Sequence, residues 1–522
     1  MTMMAPPVKD SCRTWALATL VFLCSLTTYS LYGFDGLLYA DDGIHIYSAQ
    51  QVIEGVAPYR SIFDLKGPGT PFIEATALVL GRSFGVDDVT TVRTASWIFS
   101  SAAVAGLFLL GRRILGSTSA ALLAAAFFVA FWGFGIFAVS GPRAKTWAVG
   151  LEIFALLAVA RRSWSIAGAL GAVCALIWQP MGILPAAILL VVAVRSPSGE
   201  RGRAFIRTAA PMVVTAACVL AYFAWHRALF DLFDGTIGFT ATMLDRGEHP
   251  GVLARAAEIV SSLRLGFRIY AGPIIIGLAT TIVVSAQRSI GPVRGRRPDV
   301  LHDVALWTAT GWMIWSFLDY QSFIDFFPLL PWAALGLGGL AWRALRMGQT
   351  AVGWSSDVTN RMAWAICATV VIHAAAGYAS MNPYGWTITH SGLVGHRTLL
   401  EAQRADVARA LSIARSPQRI AVIGHPEILA ILGTSNFSRF VHFPPHTGLA
   451  EHLEARLPAG TDSYLQLLED ADPDVVLYRY TGTGVLGGSV DEYLSERFER
   501  RQAMSVHMFV RKGLVGGRAD DL

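Results

Sequence analysis

Charge is scarce in this chain. Only 15% of its 522 residues are Asp, Glu, Lys or Arg, against about 25% in soluble domains. Hydrophobic residues make up 53%, and the mean hydropathy is +0.47. That balance excludes an ordinary soluble protein and points to a polytopic membrane protein. Lysine is scarcer still: Lys9, Lys66, Lys145 and Lys512 are the only four, and arginine supplies the rest of the 42 basic positions. The five cysteines, Cys12, Cys24, Cys174, Cys218 and Cys367, lie in or beside apolar segments without metal-ligand spacing, which argues against a disulfide framework or a thiolate metal site. No nucleotide fingerprint is present, because Gly482, Gly484, Gly487 and Gly488 do not follow a strand and open a helix. The net charge of +5 is spread over many short loops, so it is no nucleic-acid footprint. No long internal repeat or low-complexity run occurs. The first apolar stretch, Trp15 to Tyr32, is long enough to span and lacks a small-residue cleavage site, so it reads as a span rather than a cleaved signal.

Apolar runs of spanning length predict about eleven transmembrane helices, near 14–33, 94–111, 117–139, 146–160, 164–178, 181–195, 208–225, 269–286, 303–318, 326–342 and 362–379. Residues 70–84 are also apolar, but Gly and Pro crowd the start and the run is short; an interfacial or re-entrant helix is expected there. Charge supports this count. With a cytoplasmic N-terminus it puts Arg112, Arg113, Arg161, Arg162, Arg201, Arg203, Arg207, Arg343 and Arg346 inside, as the positive-inside rule requires. Counting 70–84 as a span would reverse them. Four regions then lie outside: 34–93, the short loop 140–146, 226–268, and 380–522. The expected domains are therefore 1–379, a membrane domain, and 380–522, a mixed α/β domain of soluble character. In the latter, Arg419–Gly424 reads as a buried strand leading into a helix near Pro426–Leu432, and Asp472–Tyr478 as a strand after a helix.

The first outer loop concentrates the chemistry. Asp41 and Asp42 follow the first span; Tyr47 and Gln50 come next at helical spacing, and Arg60, Asp64 and Lys66 lie in a Gly/Pro-punctuated segment. A carboxylate at a membrane surface, near a cation, can take the proton of an acceptor hydroxyl. A compact ammonium such as Lys66 suits a phosphate oxygen; snorkelling at the interface is its structural alternative. Arg60, Arg93, Arg143 and Lys145 form a candidate outer basic ring that would attract an anionic lipid phosphate, although span-end anchoring explains Arg93 and Arg143 equally well. Asp319, Tyr320 and Asp325 suit either a sugar or plain solvent contact. His226, Asp231, Asp234, Asp245, Glu248 and His249 lack diagnostic metal spacing. Asn436-Phe437-Ser438 matches a glycosylation sequon. Only Glu152 and His373 lie well inside expected spans, whereas a transporter would place ionisable groups at the midplane of paired repeats.

Together, Asp41-Asp42, Tyr47, Gly55-Val56-Ala57-Pro58-Tyr59-Arg60 and Asp64-Leu65-Lys66-Gly67-Pro68-Gly69 resemble the first-loop pattern of the GT-C membrane glycosyltransferases. The likeness is to the branch of protein O-mannosyltransferase-like enzymes and lipid A aminoarabinose transferases. The resemblance covers residues 35–160. It implies a GT-C-like helical membrane domain with interfacial helices in the first loop, and a polyprenyl-phosphate sugar as donor. Asp41 would match the family's first-loop catalytic acid, with Asp42 beside it, and Lys66 its phosphate-contacting lysine, with Arg60, Arg143 and Lys145 nearby. Tyr47, Tyr59, Asp64 and Arg93 would help to bind substrate. Two departures stand out. Gly67 replaces the first proline of the family's Lys-Pro-Pro turn, and Gly141-Pro142-Arg143 lacks the carboxylate many relatives carry. The implied activity is inverting transfer of a hexose or pentose to an acceptor hydroxyl of an envelope glycan, lipid or protein, on the extracytoplasmic face of the plasma membrane. A lipid or glycoconjugate flippase is the alternative. No motif calls for a metal or cofactor, and a divalent metal stays open.

Overall fold

The computed structural model describes residues 11–241, 251–290, 300–381, 387–389, 392–394, 399–443, 449–453, 456–458, 461, 463–480, 485–486, 488–501, 503 and 505–514. Asp245, Glu248 and His249 lie outside the described residues. The chain divides into two compact units, each built from three stretches.

The first unit comprises Met1–Gly33, Arg93–Val219 and Glu248–Pro383 and is helical. Each segment expected to span contains a helix. Among the described residues, five helical stretches are long and apolar enough to cross a membrane, or six if the pair Thr118–Val129 and Trp132–Ser140, bent by 65°, is taken as one. The others fall short either in length, as in the 14-residue Trp164–Ile177, or in apolar character, as in the 19-residue Cys12–Ser30 and Val300–Leu318. Large aromatics fill the interior: Trp178 stacks on Trp312 at 5.5 Å, and the buried Trp332 indole donates to Glu152 at 3.0 Å. Glu152, one of the two ionisable residues inside expected spans, thus has an internal partner. The other, His373, lies against the Trp132 ring at 5.4 Å.

The second unit comprises Phe34–Val92, Leu220–Gly247 and Tyr384–Leu522. Its three stretches fall almost entirely in regions that the charge pattern assigns to the outside. The first loop supplies two helices, Ala40–Ile53 and Gly69–Ser83. The second has 15 residues, short of the roughly 20 needed to span, and it packs against the first. The C-terminal stretch carries a small antiparallel pair, β1 (Thr387–Thr389) and β2 (Gly392–Val394). A four-stranded sheet follows: β3 (Ile420–Ile423), β4 (Val475–Tyr478), β5 (Phe498–Arg501) and β6 (His507–Arg511), in spatial order β3-β4-β6-β5. β3 and β4 are parallel; β6 runs antiparallel to both its neighbours. The strand read at 419–424, the helix Pro426–Leu432 and the strand ending at Tyr478 appear where the apolar runs put them. β3 and β4 are buried at every position, which is why they read as continuous apolar runs rather than alternating ones.

An aromatic core ties the three stretches together. Phe63 of the first loop meets Phe239 at 5.6 Å and Phe440 at 5.4 Å, and the Phe63 N–H donates to the Arg439 carbonyl at 2.8 Å. Asp231 adds an electrostatic tie, pairing with Arg60 at 3.1 Å and with Arg439.

Candidate active site

The site forms where the helix Ala40–Ile53 meets the turn at 64–69. Asp41 and Asp42 occupy the first helical turn, where the helix dipole favours negative charge, and the two carboxylates have different surroundings. Asp42 is buried, and its Oδ2 accepts the Tyr39 backbone N–H at 3.3 Å, completing the helix cap. Asp41 faces outward, its side chain 37% exposed, and its Oδ2 lies 3.3 Å from the Lys66 ammonium. The base and the phosphate ligand expected from the sequence therefore share one ion pair.

The turn that presents Lys66 is held on several sides. Asp64 Oδ1 accepts from the backbone N–H of Leu65 at 2.7 Å and of Lys66 at 3.3 Å, an Asx-type closure. Asp64 Oδ2 lies 3.6 Å from Nδ1 of the buried His45. The Tyr59 hydroxyl donates to the Lys66 carbonyl at 2.7 Å, and its buried ring packs on Phe223 at 5.8 Å. Tyr59 holds φ at 68°, a conformation that costs a bulky residue energy and persists only where its surroundings fix it. The hydroxyls of Tyr47 and Tyr59, two residues expected to bind substrate, thus both make internal bonds. The Tyr47 hydroxyl accepts the Asn436 N–H at 3.0 Å, locking the helix to the C-terminal stretch. Gln50 adds bonds to Asp88 and to the Ala430 carbonyl, both 2.8 Å.

Gly43 sets how closely that stretch approaches. A Cβ there would lie 2.3 Å from both the Cα and the N of Glu427, so only glycine lets the helix Ala40–Ile53 seat on the start of Pro426–Leu432. The contact delivers groups that the sequence reading did not pick out. Glu427 pairs through Oε1 with His425 Nδ1 at 2.9 Å. His442 lies among Asp41, Glu427, Lys66 and Arg479, whose charges all act on it. Burial is the largest influence and pushes the His442 imidazole down to about 4; Arg479 and Lys66 push the same way, while Asp41 and Glu427 oppose them. His442 is therefore neutral across the physiological range.

Other expected residues are engaged elsewhere. Arg60 pairs with Asp231 and donates to the Arg227 carbonyl at 2.7 Å. Arg93, Arg143 and Lys145 belong to the helical unit. Arg93 is fully buried, Arg143 lies over the Phe137 ring at 5.1 Å, and Lys145 pairs with Asp325 and sits 3.9 Å from the centre of the Trp178 ring. Asp325 also accepts the backbone N–H groups of Gln321 and Ser322 at 2.7 and 2.8 Å. Asp234 pairs with Arg456 at 3.4 Å, and no cluster of three metal-ligating side chains occurs among the described residues. The sequon asparagine, Asn436, spends its amide on the Val422 and Ser438 carbonyls at 3.0 and 3.1 Å, a bonded arrangement that a glycan would have to break.

No protein-family model and no curated protein matches the chain. Solved structures do. ArnT from Cupriavidus metallidurans in the apo state aligns with 97% of this chain and 100% of its own, at 14% identity and a TM-score of 0.61. The same protein bound to undecaprenyl phosphate aligns with 97% of this chain and 99% of its own, at 14% identity and a TM-score of 0.59. The Archaeoglobus fulgidus oligosaccharyltransferase in the apo form aligns over 89% and 69%, at 14% identity and a TM-score of 0.56. The likeness runs through both the helical segments and the C-terminal stretch, and the chain shares the fold of these structures.

Proposed function

We propose that the protein is a membrane glycosyltransferase that moves a sugar from a polyprenyl-phosphate donor to an acceptor hydroxyl on the extracytoplasmic face of the plasma membrane. The observation that carries this reading is the exposed Asp41–Lys66 pair at 3.3 Å, on a rigid helix and a braced turn. A solved structure with the same fold binds undecaprenyl phosphate, which supports a lipid-linked donor for this chain. In the proposed reaction the donor phosphate takes over Lys66 and thereby releases Asp41. Asp41 then accepts the proton of the acceptor hydroxyl while the acceptor oxygen attacks the anomeric carbon. The bond from that carbon to the phosphate oxygen breaks, its electron pair leaves with the polyprenyl phosphate, and Lys66 stabilises the charge that develops there. One displacement inverts the anomeric centre. Asp42, committed to the helix cap, is assigned a supporting role.

The test is transfer from labelled polyprenyl-phosphate sugars in membranes, comparing wild type with Asp41→Asn at matched expression. The expected outcome is a loss of about a hundredfold to ten-thousandfold with donor binding retained. Unchanged transfer by Asp41→Asn removes Asp41 as the base. Lipid movement without transfer by wild type overturns the enzyme reading in favour of a flippase.

A further inference from the structure

A second site lies at the end of the four-stranded sheet. β3 and β4 end there in parallel, followed by His425 and Arg479. β5 ends in Arg500 and Arg501, and β6 begins with His507, whose register partner is Tyr478. The strand ends enclose a cavity of about 670 Å³ lined by these five residues with Ser505 and two apolar neighbours. Ligands of α/β sheets gather outside the carboxyl ends of parallel strands, and this volume is in the range of small-molecule sites. The lining is notable for its sign: three arginines and two histidines, with no carboxylate among the described residues.

Two of the three arginines have no carboxylate partner among the described residues. Arg501 pairs with Glu499 at 3.1 Å. Arg500 lies 2.7 Å from His507 Nδ1, a second nitrogen base rather than an acid. Arg479 makes a weak 3.4 Å contact to the Gly424 carbonyl, and neither it nor Arg500 pairs with a carboxylate among the described residues. Like charges are not gathered around a cavity for stability, since they repel; planar guanidinium groups converging on one space match a phosphate or a carboxylate. Gly424 makes the arrangement possible. Its φ is +86°, and a Cβ there would lie 2.4 Å from the Arg479 Cβ. The cavity also adjoins the site above: His425 bonds Glu427, and Arg479 acts on the same His442 that feels Asp41 and Lys66.

We infer that this cavity binds an oxyanion, phosphate or carboxylate, carried on a carbohydrate acceptor, and so holds the acceptor beside Asp41. The inference rests on the glycosyltransferase reading for the word acceptor, but the binding itself does not. Full-length protein in phosphatidylcholine nanodiscs is titrated with a hexose 6-phosphate, a hexuronate and the uncharged hexose. Both anions are expected to bind and the neutral sugar is not. Arg500→Gln/Arg501→Gln should weaken both anions by roughly tenfold or more while leaving polyprenyl-phosphate binding and the melting temperature unchanged; Arg500→Gln alone serves if the double variant misfolds. Phosphatidylglycerol nanodiscs separate the sources: competition there with the sugar anions assigns the oxyanion to a lipid headgroup and overturns the carbohydrate assignment. Absence of anion binding, or binding indifferent to the arginines, overturns the inference. Failure of the donor to bind wild type would instead sink the transferase reading and leave the cavity result standing.

Discussion

Two Lys–Asp pairs, one in each unit, carry half of this chain's lysines and behave as opposites. Lys145 and Asp325 are 11% and 2% exposed; two backbone N–H groups hold the carboxylate, and an indole face covers the ammonium. Lys66 and Asp41 are 23% and 37% exposed, and the turn beneath Lys66 is braced by Asp64 and Tyr59. A pair of the first kind is a fixture, because separating it strands a buried charge. A pair of the second kind is screened by water and salt and contributes little to stability. Both lysines sit beside Gly/Pro turns in regions assigned to the outside, and only their surroundings tell them apart.

Four predictions sharpen or break that contrast. The largest effect is on chemistry: Lys66→Ala should lower sugar transfer by about a hundredfold to a thousandfold. Its effect on stability should be within about 1 kcal/mol, read by transfer assay and thermal melting on the same preparation. A folded but fully active Lys66→Ala would end the distinction. The second effect is on stability: Lys145→Ala should cost about 3–5 kcal/mol by leaving Asp325 buried without its cation, seen as a clear drop in melting temperature. A melt like wild type would mean the buried pair is no fixture. Third, Gly43→Ala should cost about 1–3 kcal/mol, because the added carbon meets Glu427 backbone rather than a movable side chain. Limited proteolysis between the first loop and the C-terminal stretch reads this, and unchanged protection would contradict the close seating.

The smallest effect is on pH. His442 falls from the usual 6.5 to about 4 in the folded protein, so between those values the unfolded chain binds the extra proton. Stability contributed through His442 therefore rises with pH across that window, is complete above about 6.5 and declines as pH falls toward 4. His442→Gln should flatten that part of the melting-temperature profile. A profile identical to wild type between pH 4 and 6.5 would show that His442 is not buried as described.

Much of this architecture was legible in the sequence because it rests on local patterns. Buried strands such as β3 and β4 are runs of apolar residues, and the helix Pro426–Leu432 begins at a proline, a residue suited to a first helical turn. The first-loop motif is a compact, ordered string, so the Asp41–Lys66 partnership was readable at short range. What was not legible depends on distance along the chain. Lys145 meets Asp325 across 180 positions, and no local signal distinguishes a lysine buried at a turn from one left partly exposed there. His442 and Arg479 are single residues in unremarkable contexts; they join Asp41 only because Gly43 admits Glu427. The basic cavity is likewise a product of sheet order, which sets β5 beside β6 and brings Arg500 to His507.

The central claim is that donor phosphate and Asp41 compete for Lys66. Its most direct test is titration of the purified full-length protein with undecaprenyl phosphate, for wild type, Lys66→Ala and Asp41→Asn. Competition predicts affinity at least roughly tenfold weaker for Lys66→Ala and tighter than wild type for Asp41→Asn, since the carboxylate no longer holds the ammonium. Equal binding by Lys66→Ala and wild type, or weaker binding by Asp41→Asn, would contradict it.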